Sequence, residues 1–176
     1  KKDSIAHCLK SVGKTVATAG RIMAIRGHGG SSFMDLVDES GKIQAFFSKS
    51  QLSDVSGQLL ELLDLGDFIQ VEGKVDKTQA GEITIFVDDL KLLTKSIRPI
   101  PSSFYGLKDV ETKLRKRYVD LIANPEVKKI FIKKAKFWAS VRNFLTTNGF
   151  LEVETPALET IPGGADATPF TTHHNA

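Results

Sequence analysis

Phe33 and Gln44 are the residues of this chain whose types and spacing suit the holding of an unpaired base. An exposed phenyl ring is a platform on which a base stacks, and an amide beside it can read the base at its edge. Phe33, Asp35, Gln44 and Phe46 fall on one side of a period-2 pattern, and Met34, Leu36, Ile43, Ala45 and Phe47 fall on the other. Asp38-Glu39-Ser40-Gly41 between the two runs is a turn cluster of hairpin length. Closing the hairpin there makes Phe33 and Gln44 diagonal neighbours on the exposed face.

Other candidate chemistries fail on spacing. Gly27-His28-Gly29-Gly30-Ser31-Ser32 has no Lys after its last glycine and no helix pattern behind it, so it reads as a hairpin connection and not as a phosphate-binding loop. His173 and His174 are adjacent, and neighbours on a strand point to opposite faces, so no metal site is expected. Cys8 has no disulfide partner and reads as a lone thiol near a mobile end. The basic run Lys113, Arg115, Lys116, Arg117 reads first as a solvated face, with a contact to a nucleic-acid backbone or another domain as the second option.

The elements that position the base-binding face follow from the pattern. Residues 1–14 are a frayed or helical lead-in. A first strand covers Thr15–Ile25 with a bulge or coil expected at Gly20. Two more strands carry the face just described, and a short helix lies within Gln51–Leu65. A fourth strand spans Phe68–Val75, and a fifth spans Glu82–Val87 with Ile83, Ile85 and Val87 inward. Glu82 falls at the loop joining these last two. Three strands, a helix and a two-stranded hairpin is the order of a five-stranded OB-fold β-barrel, so the fold class is mainly β with α. Its binding surface lies on strands two and three.

Residues 15–97 form that barrel, and the stiff segment of residues 98–108 reads as a linker. Beyond it a helix is expected over Asp109–Ile122. A long helix starts at Asn124-Pro125 and closes at Asn148-Gly149. Its stripe of Val127, Ile130, Phe131, Phe137, Trp138, Val141, Phe144 and Leu145 reads as core. A strand is expected over Phe150–Thr155, stopped by Pro156. Residues 1–105 carry 13 basic and 13 acidic side chains, so attraction to phosphates does not announce a nucleic-acid binder there; residues 106–176, with 11 and 8, hold the whole net charge of +3. No apolar run approaches the roughly 18 residues that span a bilayer, and Lys1-Lys2-Asp3 has no signal-peptide profile, so the chain reads as cytoplasmic with no membrane partner. A start without Met and an end at Thr172–Ala176 without a capping signal read as a fragment.

Gly149-Phe150-Leu151-Glu152-Val153-Glu154-Thr155-Pro156, then Ile161-Pro162-Gly163-Gly164-Ala165 and Pro169-Phe170-Thr171-Thr172-His173-His174-Asn175, closely resemble the class II lysyl-tRNA synthetases. Arg98-Pro99-Ile100-Pro101 and Arg117-Tyr118-Val119-Asp120-Leu121-Ile122 are similar to that family too. The resemblance implies an OB-fold anticodon-binding domain followed, over residues 109–176, by the incomplete start of a class II α+β catalytic domain. It implies that Phe33 stacks the central anticodon base, that Gln44 and Arg26 hydrogen-bond base edges, and that Glu82 contacts an outer uridine of the tRNA-Lys anticodon loop. It places Phe150, Val153 and Pro156 in motif 1, the homodimer interface, and Gly163 in a loop that touches the lysine substrate. No catalytic residue is expected here, because the ATP-binding motifs 2 and 3 would lie beyond Ala176. ATP and Mg²⁺ are implied for the parent enzyme, and a chain of these 176 residues alone is expected to be inactive.

Singly, each residue has another explanation. Phe33 could close a barrel end, Arg26 and Glu82 could be solvated charges, and Gln44 could be an ordinary polar residue. Their joint placement on one face favours binding. Two further readings stay open: an aspartyl- or asparaginyl-type synthetase, and a non-catalytic OB module that binds single-stranded nucleic acid or a protein.

Overall fold

The computed structural model describes residues 2–28, 30–100, 107, 109–156, 168, 170, 172 and 173. The chain divides into two compact units, residues 1–123 and 124–176.

In the first unit, β1 (Thr15–His28), β2 (Ser31–Val37), β3 (Lys42–Ser48), β4 (Phe68–Lys77) and β5 (Ile83–Thr94) close into a barrel in the order β1-β2-β3-β5-β4. The β3–β5 pair is parallel and the others are antiparallel. The inward set follows the sequence pattern: Met34, Leu36, Ile43, Ala45, Phe47, Ile85 and Val87 are buried, and Ile83 packs at the edge of the core. The β2–β3 hairpin turns at Asp38–Gly41, with Val37 opposite Lys42.

Several expectations are corrected. β1 runs three residues further than the pattern suggested, and Gly27 and His28 pair with Ser32 and Ser31, so the expected six-residue loop shrinks to the two residues between the strands. The bulge in β1 lies between Ile22 and Ala24 and not at Gly20. Gly20 answers a different need: a Cβ there would stand 3.1 Å from the Val37 carbonyl oxygen and 3.2 Å from its nitrogen, tighter than ordinary packing. The helix expected within 51–65 is α2 (Asp54–Glu61), capped by the Ser53 side chain on the Ser56 N–H.

Of the frayed or helical lead-in expected over residues 1–14, the helical alternative holds at Ile5–Cys8. The single-turn helix α1 (Ile5–Cys8) buries Ile5 and Cys8 completely in the core. The hairpin turn holds it there: Asp38 accepts from the Ile5 N–H at 2.9 Å, and the Ser40 hydroxyl accepts from the Ala6 N–H at 2.9 Å. These bonds satisfy donors that a helix start leaves open. Cys8 is therefore a core residue, and burial pushes its thiol pKa up.

The end of the barrel is tied by Asp67, whose side chain is fully buried. It accepts from Lys95 Nζ at 2.7 Å, the Ser96 N–H at 2.7 Å and the Asp64 N–H at 2.8 Å. Burial pushes this carboxyl up, but those three donors outweigh it and hold it below the ordinary carboxylate range. The bonds fasten the end of β5 to the corner before β4. The segment after β5 stays close: at Gly66, with φ of +98°, a Cβ would meet Ile100 at 2.7 Å.

After the barrel, the helix expected over Asp109–Ile122 is two, α3 (Val110–Arg115) and α4 (Arg117–Ala123), interrupted at Lys116 with φ −113° and ψ 49°. Nothing in the sequence at Lys116 explains the break.

In the second unit, α5 (Pro125–Thr147) starts with proline in its first turn, but the Asn124 side chain makes no capping bond. It ends as expected: Gly149 has φ +85°, its N–H donates to Thr146, and the Phe150 N–H donates to Leu145, the paired bonds of a Schellman stop. Ile130, Phe131, Phe137, Trp138, Phe144 and Leu145 are exposed and not the core that their stripe suggested. Residues 150–155 form no strand.

Candidate nucleic-acid interface

The register of the barrel sets out two rows across its outer surface. Arg26 on β1 stands opposite Phe33 on β2, Phe33 opposite Phe46 on β3, and Phe46 opposite Phe86 on β5. Two residues away along each strand, Asp35 stands opposite Gln44 and Gln44 opposite Thr84. The period of two in each strand thus makes one aromatic row ending in a cation, with one polar row beside it.

The aromatic row is in contact throughout. The Phe33 and Phe46 centroids are 4.8 Å apart and tilted by 47°, and those of Phe46 and Phe86 are 5.6 Å apart, edge to face at 62°. Such tilted pairs suit the ring quadrupole and brace one another. All three rings are half-buried, so ring surface stays open to solvent.

The polar row is buried, which corrects the exposed amide expected at Gln44: it is 8% exposed, beside Asp35 at 7% and Thr84 at 0%. Gln44 Nε2 donates to Glu82 Oε2 at 2.9 Å, and its Oε1 accepts from the Thr84 hydroxyl at 2.8 Å. The turn after β4 brings Glu82 there. Gly81 adopts φ +84°, open to glycine at no steric cost, while the Thr78 N–H bonds the Glu82 carbonyl at 3.0 Å and the Glu82 N–H bonds the Thr78 hydroxyl at 3.2 Å.

Asp35 orients the cations. It accepts from Arg26 at 2.6 Å and from Lys42 at 3.1 Å. Burial pushes its carboxyl up, yet hydrogen bonds from Arg26 and Lys42 prevail and keep it below the usual range. The hydrogen bond to Asp35 raises the Arg26 pKa, so the guanidinium is charged. Its side chain is half exposed, and one of its nitrogens is fixed against β2.

Arg26, Phe33, Gln44 and Glu82, singled out from the sequence, all line one open pocket of about 570 Å³, together with Phe46, Phe86 and the 77–80 turn. Such a cleft, with an aromatic wall, a cation and an oriented amide, has the parts to stack a flat ring and hydrogen-bond its edge. Sequence reading set Asp35 and Phe46 on the outer face without a role and overlooked Phe86 and Thr84. The outward phenylalanine two residues after the threonine, among inward Ile83, Ile85 and Val87, was the available signal.

The remaining candidates belong to the second unit. Phe150, Val153 and Pro156 follow α5 and are exposed. Gly163 and His174 lie outside the described residues. Among the described residues there is no group of three or more His, Cys, Asp or Glu that could hold a metal ion. No helix among the described residues is long and apolar enough to cross a membrane.

Comparison with known proteins agrees with the geometry. The family described as "OB-fold nucleic acid binding domain" matches residues 16–93, and "tRNA synthetases class II (D, K and N)" matches residues 109–176. The lysine–tRNA ligase of Syntrophomonas wolfei is 50% identical over 180 residues, covering 99% of this chain and 36% of that protein. The lysine–tRNA ligase of Carboxydothermus hydrogenoformans is 53% identical over 175 residues, again 99% of this chain and 36% of that protein. That of a Thermoanaerobacter species is 51% identical over 164 residues, or 93% and 33%. The chain spans about a third of the length of these curated relatives.

Proposed function

The chain belongs to the class II lysine–tRNA ligase family, and from that premise we propose that its barrel binds the anticodon loop of a lysine tRNA in the service of lysylation. The observation that carries the reading is the convergence of Arg26, Phe33, Gln44 and Glu82 on one pocket backed by an aromatic row. Phe33 stacks the central anticodon base, while Gln44 and Arg26 hydrogen-bond base edges. Glu82 contacts an outer uridine with the carboxylate oxygen that Gln44 does not hold. The fold alone would not license this, since OB barrels serve many ligands; the pocket's chemistry does.

In the whole enzyme, residues 109–176 belong to the catalytic domain, and Gly163 contributes to the lysine site. ATP and Mg²⁺ supply the activation of the lysine carboxylate, and the reaction takes place in the cytoplasm. Phe150, Val153 and Pro156 pair with a second copy to make a homodimer, which would also give the exposed stripe of α5 a surface to bury. Sedimentation equilibrium of the chain is expected to report a dimer. A pure monomer at high concentration would remove that element of the reading.

The anticodon reading is tested by fluorescence anisotropy, using a labelled lysine anticodon stem-loop and a second in which the central base is changed. The chain is expected to bind the lysine loop and to prefer it clearly. Equal affinity for both loops would instead favour a general single-strand binder, which stacks any base.

A further inference from the structure

We propose that Glu82 acts through Gln44: it locks the amide in one orientation, and that lock gives the pocket its choice between uracil and cytosine. The inference rests on the anticodon reading and adds a positioning role to it.

A glutamine amide can rotate by half a turn and exchange its oxygen and nitrogen, presenting either donor–acceptor order to a base. Here the exchange is blocked from one side. The Glu82 carboxylate accepts hydrogen bonds only, so the atom that faces it at 2.9 Å is the Gln44 NH₂ group and its C=O is turned the other way. Thr84 meets that oxygen at 2.8 Å and completes the arrangement. The Thr84 hydroxyl also lies 3.2 Å from the Glu82 carbonyl oxygen, which holds it against the same turn. Turning the amide over would set its oxygen against a carboxylate in a site where Gln44 is 8% exposed, and an unpaired or repelled buried polar group is costly. Thr84 alone could not impose the order, because a hydroxyl serves as donor or acceptor; the carboxylate can.

With both atoms held, each retains one further valence: a second N–H on nitrogen and a second lone pair on oxygen. An amide so fixed pairs with an edge that offers a ring N–H beside a carbonyl, as uracil does. With the ring held by its stacking partner in that same register, cytosine sets a ring acceptor against the amide oxygen and an amino donor against the amide N–H, so acceptor meets acceptor and donor meets donor. A free amide would flip and accommodate either pyrimidine.

The test measures the ratio of affinities of the full chain for two stem-loops that differ only by U or C at the central anticodon position. Wild type is expected to favour U by roughly tenfold or more, the scale of one mispaired buried group. Glu82→Gln, which replaces an acceptor-only partner by one that can donate or accept, is expected to bring the ratio to within about twofold of unity. Its affinity for the C loop should rise and not merely fall in step with that for the U loop. Glu82 is exposed, so this variant is expected to fold. Thr84→Val should narrow the ratio partly, and Thr84→Ser should restore it, which a purely structural role for the site would not produce. A ratio unchanged in Glu82→Gln would overturn the lock while leaving the anticodon reading intact. Wild type that binds neither loop would overturn both.

Discussion

Phe33→Ala lowers the affinity for the lysine stem-loop by roughly tenfold or more, because a base stacked on an aromatic side chain is worth about 1–3 kcal/mol by alanine substitution. The size of this effect follows from the position of the ring. Phe33 is the member of the aromatic row nearest Arg26, and it is held from behind by Phe46 at 4.8 Å. Removing it takes away the stacking face and leaves Phe46 with Phe86 as its one ring neighbour, whereas Phe33→Trp keeps a flat surface and should keep most of the affinity. Because Phe33 is half-buried and not part of the inward set, the variant should melt within a few degrees of wild type. The loss would then be one of recognition and not of folding. Undiminished binding by a folded Phe33→Ala chain would show that the base is held elsewhere.

The second large effect is on stability. Gly73→Ala is expected to destabilise the barrel by about 3 kcal/mol or more, the upper end for an overpacked site. Gly73 pairs with Val87 where β4 and β5 shift register, and a Cβ on it would stand 2.0 Å from the Phe86 carbonyl oxygen and 2.8 Å from its carbon. That neighbour is backbone within a paired strand, so it cannot rotate away as a side chain would. Relief requires β4 and β5 to part, at the residue whose ring completes the aromatic row. On a domain of this size the loss corresponds to a fall in melting temperature of about 10 °C or more, read by circular dichroism. Melting within a degree or two of wild type would mean that the close approach of the two strands is not obligatory.

The barrel was legible in the sequence because its inward and outward faces alternate cleanly. Met34, Leu36, Ile43, Ala45 and Phe47 named the core side, and the turn at Asp38–Gly41 fixed the register that makes Phe33 and Gln44 diagonal neighbours. What escaped depends on contacts between residues distant in the chain. Cys8 and Ile5 look like a loose end until the Asp38 carboxylate, 33 residues from Ile5, caps their helix. Gln44 reads as exposed until the turn after β4 lays Glu82 over it, 38 residues away. The exposed stripe of α5 and the missing strand at 150–155 have another cause: amphipathic periodicity says that a face will be covered, but not by what. Phe46 and Phe86 face outward by the period of each strand, but that period does not say which residues of neighbouring strands stand opposite, so their row emerges only with the register.

The burial of Cys8 gives the chain a built-in reporter. A thiol reacts as the thiolate, and this one is both screened from reagents and held toward its protonated form by burial. It is the sole cysteine, and it is the last residue of α1, the helix that the β2–β3 turn holds in place. A maleimide or disulfide reagent added to the native protein can therefore reach sulfur only when that helix lifts or the barrel opens. The labelling rate counts those openings in molecules that are otherwise native, with no engineered probe.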